Sequence, residues 1–232
     1  MSPVNKFGQE VGQPVEWSPR PAPDRVRLVG SYVVIEPVAP AHAEALYAAT
    51  DHPSLWTYRT DEPPASVDEL ARRIEVWAAA RDTITFALVP TDCGCAAGVS
   101  TLCRLDPANG SAEIGAVLFG AGLARTRAST EALRLFAGYL FEDLGYRRFE
   151  WKLDSGNAPS AAAARRFGFR YEGRFRNALV YKGRNRDTDW FAMTDADWAR
   201  LAPAYDAWLD PANFDAQGRQ LTRLADHAVG GP

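Results

Sequence analysis

The run from Ser111 to Gly173 constrains the fold more than any other part of this 232-residue chain. It opens with an apolar, strand-like stretch, Ile114 to Phe119, then turns into a helix through Ala124-Arg125-Thr126-Arg127-Ala128-Ser129-Thr130-Glu131-Ala132. Leu133, Phe136, Leu140 and Leu144 recur at steps of three and four residues, which gives the helix one apolar face and carries it to about Leu144. Ser129 and Thr130 are the expected caps, and Gly145 is the expected stop. From Tyr146 to Asp154, Phe149, Trp151 and Leu153 alternate with Arg148, Glu150 and Lys152, the period of a strand. A strand feeding a short turn and a helix leaves backbone N–H groups unpaired at the positive end of the helix dipole. Phosphate is the natural guest of such a site.

Asp154-Ser155-Gly156-Asn157-Ala158-Pro159-Ser160 leads into an alanine-rich helix through Arg166, with Pro159 suited to a first turn. Gly168-Phe169-Arg170-Tyr171-Glu172-Gly173 closes the run. Four pieces stand out in order: Glu113-Ile114-Gly115, Thr130-Glu131-Ala132, the Asn157-x-x-Ser160 pair, and Gly168-Phe169 followed by Glu172-Gly173. Together they resemble the GNAT superfamily of acyl-CoA-dependent N-acyltransferases, specifically the branch of ribosomal-protein N-terminal acetyltransferases. That resemblance implies an α/β (α+β) fold, with a mixed, mostly antiparallel central sheet and helices on both faces. The pyrophosphate loop departs from the family pattern. Ala124 replaces its first polar residue, and Arg127 replaces the glycine that lets backbone approach phosphate. Arg125 and Arg127 are expected to compensate with charge-assisted hydrogen bonds.

The net charge of −3 and the lack of any lysine-rich run argue against nucleic acid as a partner. No apolar stretch is long enough to span a membrane and residues 1–25 lack a signal-peptide core, so the expected compartment is the cytoplasm. Cys93, Cys95 and Cys103 do not suggest a disulfide framework, and His42, His52 and His227 are scattered, so no metal is expected. Asp92-Cys93-Gly94 reads as a turn between strands.

Residues 1–25 form a proline-rich leader that Trp17 would pin to the body. Residues 26–215 are one expected acyl-CoA N-acyltransferase domain, and residues 216–232, ending Gly230-Gly231-Pro232, are a tail over the surface. Within the domain, Val26 to Pro37 is a first strand or hairpin, and Ala41 to Thr50 is a helix. Ser66 caps a second helix to about Ala80 in the capping-box pattern Ser-Val-Asp-Glu. Thr83 to Pro90, Gly98 to Leu105 and Ser111 to Phe119 follow as strands, the last two joined by an Asn109-Gly110 turn. Arg174 to Thr194 reads as strand, basic turn (182–186) and strand. The basic turn is a solvated tip or an attractor for an acidic substrate. Trp198, Leu201, Tyr205 and Trp208 make the apolar stripe of a C-terminal helix from Asp195. Exposed aromatics such as Trp208 would also suit a homodimer, so both monomer and homodimer are open.

An acyltransferase must present a neutral amine to a thioester and stabilise the negative charge that develops on its oxygen. An alkyl ammonium titrates near ~10 and a peptide α-amine near ~8, so the need for a base depends on the acceptor. Glu113, read as sharing a strand face with Gly115 and Val117, is the candidate base, or else the partner of an arginine across the sheet. Glu150 is the weaker candidate. The family resemblance implies that backbone N–H groups around Val117 and Phe119 meet the thioester arm. It also implies that Arg125, Thr126, Arg127, Ala128, Ser129 and Thr130 hold the pyrophosphate, and that Asn157 and Ser160 meet the pantetheine. Ser160, with Tyr171 in reserve, is the candidate proton donor to the departing thiolate. Trp56, Tyr58 and Arg59, with Glu113, are the candidate acceptor contacts, although loop aromatics also serve as anchors. The expected co-substrates are acetyl-CoA and a primary amine, with succinyl-CoA the alternative donor and a non-catalytic CoA-binding module the alternative function. A P-loop nucleotide site is excluded because no Gly-x-x-x-x-Gly-Lys motif occurs.

Overall fold

The computed structural model describes residues 2–228. In chain order the elements are β1 (Leu28–Val29), β2 (Val33–Pro37), α1 (Ala43–Thr50), α2 (Val67–Ala79), β3 (Ile84–Pro90), β4 (Gly98–Asp106), β5 (Ser111–Phe119) and α3 (Arg127–Gly138). Then come β6 (Arg148–Asp154), α4 (Ala158–Arg166), β7 (Arg170–Tyr181), β8 (Arg184–Thr194), α5 (Asp195–Leu209) and α6 (Leu224–His227). The strands form one sheet in the order β1-β2-β3-β4-β5-β6-β8-β7. Every pairing is antiparallel except β5 with β6.

Alternation along the strands feeds two cores. Ile84, Phe86 and Leu88 of β3 join Ala112 and Ile114 of β5, Phe136 of α3, Phe167 and Trp208 on one face. Ala87, Val99 and Leu118 pack against Leu46, Leu70 and Ile74 of α1 and α2 on the other. The sheet is therefore covered on both sides, as a strand pattern buried on both faces requires.

The helix after β5 starts differently from the reading of Ser129 and Thr130 as caps. Thr126 is the N-cap: its hydroxyl accepts from Ser129 N–H at 3.2 Å while Ser129 Oγ accepts from Thr126 N–H at 3.2 Å. That reciprocal pair is a capping box with serine in the place of the usual Glu or Gln. Past Gly138 the helix widens into one π turn, Tyr139–Asp143. Gly145 (φ +66°) ends it, with Tyr146 N–H reaching Leu140 O at 2.8 Å.

A second departure decides where the site lies. Ala116 has φ +49°, and the β4–β5 register shifts so that Val99 faces Leu118 while Thr101 faces Gly115. One extra residue in β5 reverses the side-chain alternation beyond it. Glu113 and Gly115 therefore share a face with Leu118, whereas Val117 and Phe119 pack toward the core of Ile114. The expected common face for Glu113, Gly115 and Val117 is thus corrected, because nothing in an alanine signals a bulge.

The leader is pinned as read. Trp17 Nε1 donates to Ala108 O at 2.7 Å, and Arg20 Nε donates to Gly145 O at 3.1 Å. The segment expected to trail behaves otherwise. Phe214 bridges Gln220, and Leu224 is buried in the core, so residues 211–228 fold back on α5. Gly230-Gly231-Pro232 lies outside the described residues. Trp208 is also buried, its indole N–H on Gln220 Oε1 at 3.0 Å, which removes it as an exposed dimer surface. No described helix is long and apolar enough to cross a membrane.

Candidate active site

Beyond the Glu113 and Glu150 pair, β5 and β6 separate: β5 continues against β4 alone, and β6 continues against β8. The V between them opens a cleft of about 1380 Å³. It is floored by β5 and β6 and walled by the start of α3, by α4, by the loop before α2 and by the segment after α5. Backbone groups on the freed edge of β5 therefore face the cleft instead of a neighbouring strand.

At one end lies the start of α3. The capping box takes up the N–H groups of Thr126 and Ser129, and those of Arg127 and Ala128 have no partner among the described residues. Arg125 adopts φ +63° on the turn that leads in. The Arg127 guanidinium is held between the Tyr32 and Phe214 rings, 4.7 and 4.5 Å from their centroids. Ser129 lines the cleft, but its hydroxyl is spent within the helix, and Thr130 lies behind, accepting from Arg166 Nη1 at 3.0 Å.

At the other end lies Glu113, 2% exposed. A Cβ at Gly115 would sit 3.0 Å from Glu113 Oε1 and 2.9 Å from Cys103 Sγ, so the glycine makes room for this carboxylate. Oε2 lies 3.1 Å from Lys152 Nζ and 3.6 Å from Arg104 Nε, at ion-pair distance but without an aligned hydrogen bond. Burial pushes the Glu113 carboxyl above its usual range, against the pull of Lys152 and Arg104. Cys103, opposite Glu113 on β4, is pushed up to about 12 by burial and by that carboxylate, which keeps it a thiol. Glu150 is taken up by Arg148 at 2.7 Å and Arg104 at 3.6 Å, a structural pairing.

Asn157 caps α4, its Oδ1 accepting from Ser160 N–H at 3.1 Å. Ser160 Oγ accepts from Trp151 Nε1 at 3.0 Å, which leaves its own proton free to donate into the cleft. Val117 and Phe119 line the cleft as well.

The loop before α2 divides. Trp56 is 1% exposed, its indole on Thr50 O at 2.9 Å, so it is the anchor of this loop and stands outside the cleft wall. Tyr58 reaches the wall and donates to Gly156 O at 2.9 Å. Arg59 reaches it too, with its donors engaged by Asp61 and by Ala116 O at 2.8 Å, so it ties the loop to the bulge. Tyr171 stands away from the cleft, half exposed on edge strand β7 with its ring against Phe191, because its neighbours on that strand face solvent. Of the basic turn, Arg186 enters the cleft, while Lys182 donates to Trp56 O at 2.8 Å.

Lys152, Tyr32, Arg166, Trp208 and Phe214 also belong to the cleft, beyond the residues to which the sequence points. Lys152 was within reach, since its parity on β6 matches that of Glu150. The other four come together through contacts between distant segments that leave no local pattern.

The family model described as the acetyltransferase (GNAT) domain matches residues 33–170. The chain belongs to the GNAT acetyltransferases. A GCN5-related N-acetyltransferase from Brucella melitensis superposes with TM-score 0.90 at 43% identity, over 92% of this chain and 98% of that one. A GNAT-family protein from Chromobacterium violaceum ATCC 12472 gives TM-score 0.76 at 35% identity, over 86% of this chain and all (100%) of that one. In sequence, the chain is 31% identical over 109 residues to YdaF of Bacillus subtilis (strain 168), provisionally named a ribosomal N-acetyltransferase. That match covers 45% of this chain and 57% of YdaF, little more than half of that relative. The matched GNAT domain holds Glu113, the open edge of β5, the α3 terminus and α4, whereas Trp208 and Phe214 lie beyond it.

Proposed function

We propose that this GNAT protein is an acetyl-CoA-dependent N-acetyltransferase that moves the acetyl group to a primary amine, a peptide or protein N-terminus or a small amine. Both substrates would be bound together, with the amine attacking the thioester directly. The observation that carries this reading is one continuous cleft joining unpaired N–H groups at the start of α3 to a buried carboxylate where β5 and β6 part.

The residues fit the parts of acyl-CoA. The free N–H groups of Arg127 and Ala128, with Arg125 and Arg127, suit a pyrophosphate. Asn157 and the freed edge of β5 suit the amide-rich pantetheine. Backbone N–H groups near Val117 and Phe119 are fixed donors for the negative charge that develops on the thioester oxygen. Glu113 takes a proton from the acceptor's ammonium, which frees the lone pair of the neutral amine for attack, and the second N–H proton leaves as the amide forms. The raised pKa of Glu113 reduces the mismatch with an amine, and Oε2 lacks an aligned donor. The bond from nitrogen to the acetyl carbon forms as the C–S bond breaks, and the sulfur leaves as thiolate. A thiol titrates near ~8.5, so protonation by Ser160 is a modest aid. Tyr58 and Arg59 shape the acceptor mouth, with Arg59 acting through the bulge.

Calorimetric titration with acetyl-CoA, succinyl-CoA and CoA, followed by thiol release with a panel of amines, tests this reading. Expected are acetyl-CoA binding and thiol release that depends on a primary amine. Binding without thiol release from any amine would instead favour a non-catalytic CoA module.

A further inference from the structure

Arg166, at the end of α4, lines the cleft and has no carboxylate partner among the described residues. Of the cleft's other arginines, Arg59 pairs with Asp61 and the exposed Arg219 with Asp215 at 2.7 Å, while Arg127, held between two rings, stands at the start of α3. Arg166 lies 5.0 Å over the Trp208 ring and 5.1 Å over Phe167, and Nη1 donates to Thr130 Oγ1 at 3.0 Å. Solvent reaches it through the cleft, yet the surrounding walls hold its guanidinium below the usual range by desolvation. A cation fixed in a concave wall, with donors left over and no counter-ion, suits an anionic ligand group.

Its relation to Arg127 narrows the choice. Arg127 stacks on Phe214, Phe214 meets Trp208 edge-on at 5.1 Å, and Trp208 carries Arg166. The two guanidiniums are thus linked through two rings in contact, each cation on a ring of its own. Trp208 is fixed by Gln220 on its indole N–H and by Asn213 Nδ2 on its carbonyl at 3.0 Å. CoA carries two phosphates in its pyrophosphate and a third, a separate monoester, on the ribose. The start of α3 serves the first pair, which leaves Arg166 for the other.

We propose that Arg166, set by the Phe214 and Trp208 rings, receives the 3′-phosphate of CoA, so that this protein distinguishes CoA from its 3′-dephospho form. The proposal rests on the acetyl-CoA reading above. Calorimetry of the wild type and Arg166→Met, each with acetyl-CoA and 3′-dephospho-acetyl-CoA, tests it. The wild type should bind acetyl-CoA about tenfold or more tightly than the dephospho ligand, equivalent to about 1.4 kcal/mol. Arg166→Met should bind both alike, at the wild type's dephospho level. Arg166→Lys, which keeps the charge but loses the fork, should discriminate partially and covers the case in which methionine impairs folding. Equal wild-type affinities for the two ligands would overturn the proposal while leaving the acetyl-CoA reading intact. A loss in Arg166→Met that is equal for both ligands would overturn it too, placing Arg166 on the pyrophosphate or in the fold. Wild type that binds neither ligand would defeat the acetyl-CoA reading itself, and this proposal with it.

Discussion

Glu131 offers the sharpest test of how the fold supports the cleft. Its buried carboxylate accepts from three successive backbone N–H groups, Ser31 at 2.8 Å, Tyr32 at 2.6 Å and Val33 at 2.9 Å. A Cβ at Gly30 would lie 2.3 Å from Glu131 Oε2, so the turn between β1 and β2 is shaped around this carboxylate. Glu131→Ala leaves Val33 N–H buried without a partner, at roughly 1–3 kcal/mol, while water reaches the outer two donors and limits each loss to about 0.5–1.5 kcal/mol. The sum is about 2–6 kcal/mol, a large part of the about 5–15 kcal/mol typical of a domain. Glu131→Gln keeps one acceptor oxygen and should lose about half as much. Urea unfolding by linear extrapolation measures this. Because Tyr32 belongs to this turn and stacks on Arg127, acetyl-CoA affinity should fall as well. A loss under about 1 kcal/mol in Glu131→Ala would refute the reasoning, since it would mean that the three bonds contribute no more than exposed ones.

Further expectations follow from single sites. The rate of thiol release should rise with pH through a limb whose midpoint lies above the ordinary carboxylate value of about 4.3, because burial raises Glu113; Glu113→Gln should lose that limb and run about 100-fold slower. Asp197 is pushed up by burial but held lower overall by Thr194, Arg170 and Arg200. A depressed native pKa adds stability above the unfolded value and loses it as pH falls through the native one. The stability gap between wild type and Asp197→Asn should therefore be widest near neutrality and close in acid below about pH 4, as urea midpoints across pH would record. Gly120→Ala should lose about 1–3 kcal/mol in the same assay, since its Cβ would meet Ala49 O at 2.5 Å and Ala97 O at 2.9 Å, both backbone atoms.

What the sequence revealed follows from the range of each interaction. The strand, turn and helix around Arg127 were legible because periodicity and caps act within a few residues. Pairing preferences then set the mixed sheet. The bulge at Ala116 was hidden, because its positive φ is imposed by pairing with β4 and its residue type carries no mark. Trp56 among turn formers and Trp208 in a helical stripe each leave packing and exposure open in sequence, and the fold decides for packing because each indole N–H finds a distinct acceptor, which lets the ring be buried. The Arg127, Phe214, Trp208 and Arg166 stack joins segments up to 87 residues apart in sequence by their numbering, and no local pattern encodes it.

The most direct test of the central claim is a crystal structure with acetyl-CoA bound. The account predicts pyrophosphate against the N–H groups of Arg127 and Ala128, and the thioester in the V between β5 and β6, beside Val117 and within reach of an amine on Glu113. A ligand lying elsewhere, or a thioester turned away from the freed edge of β5, would contradict it.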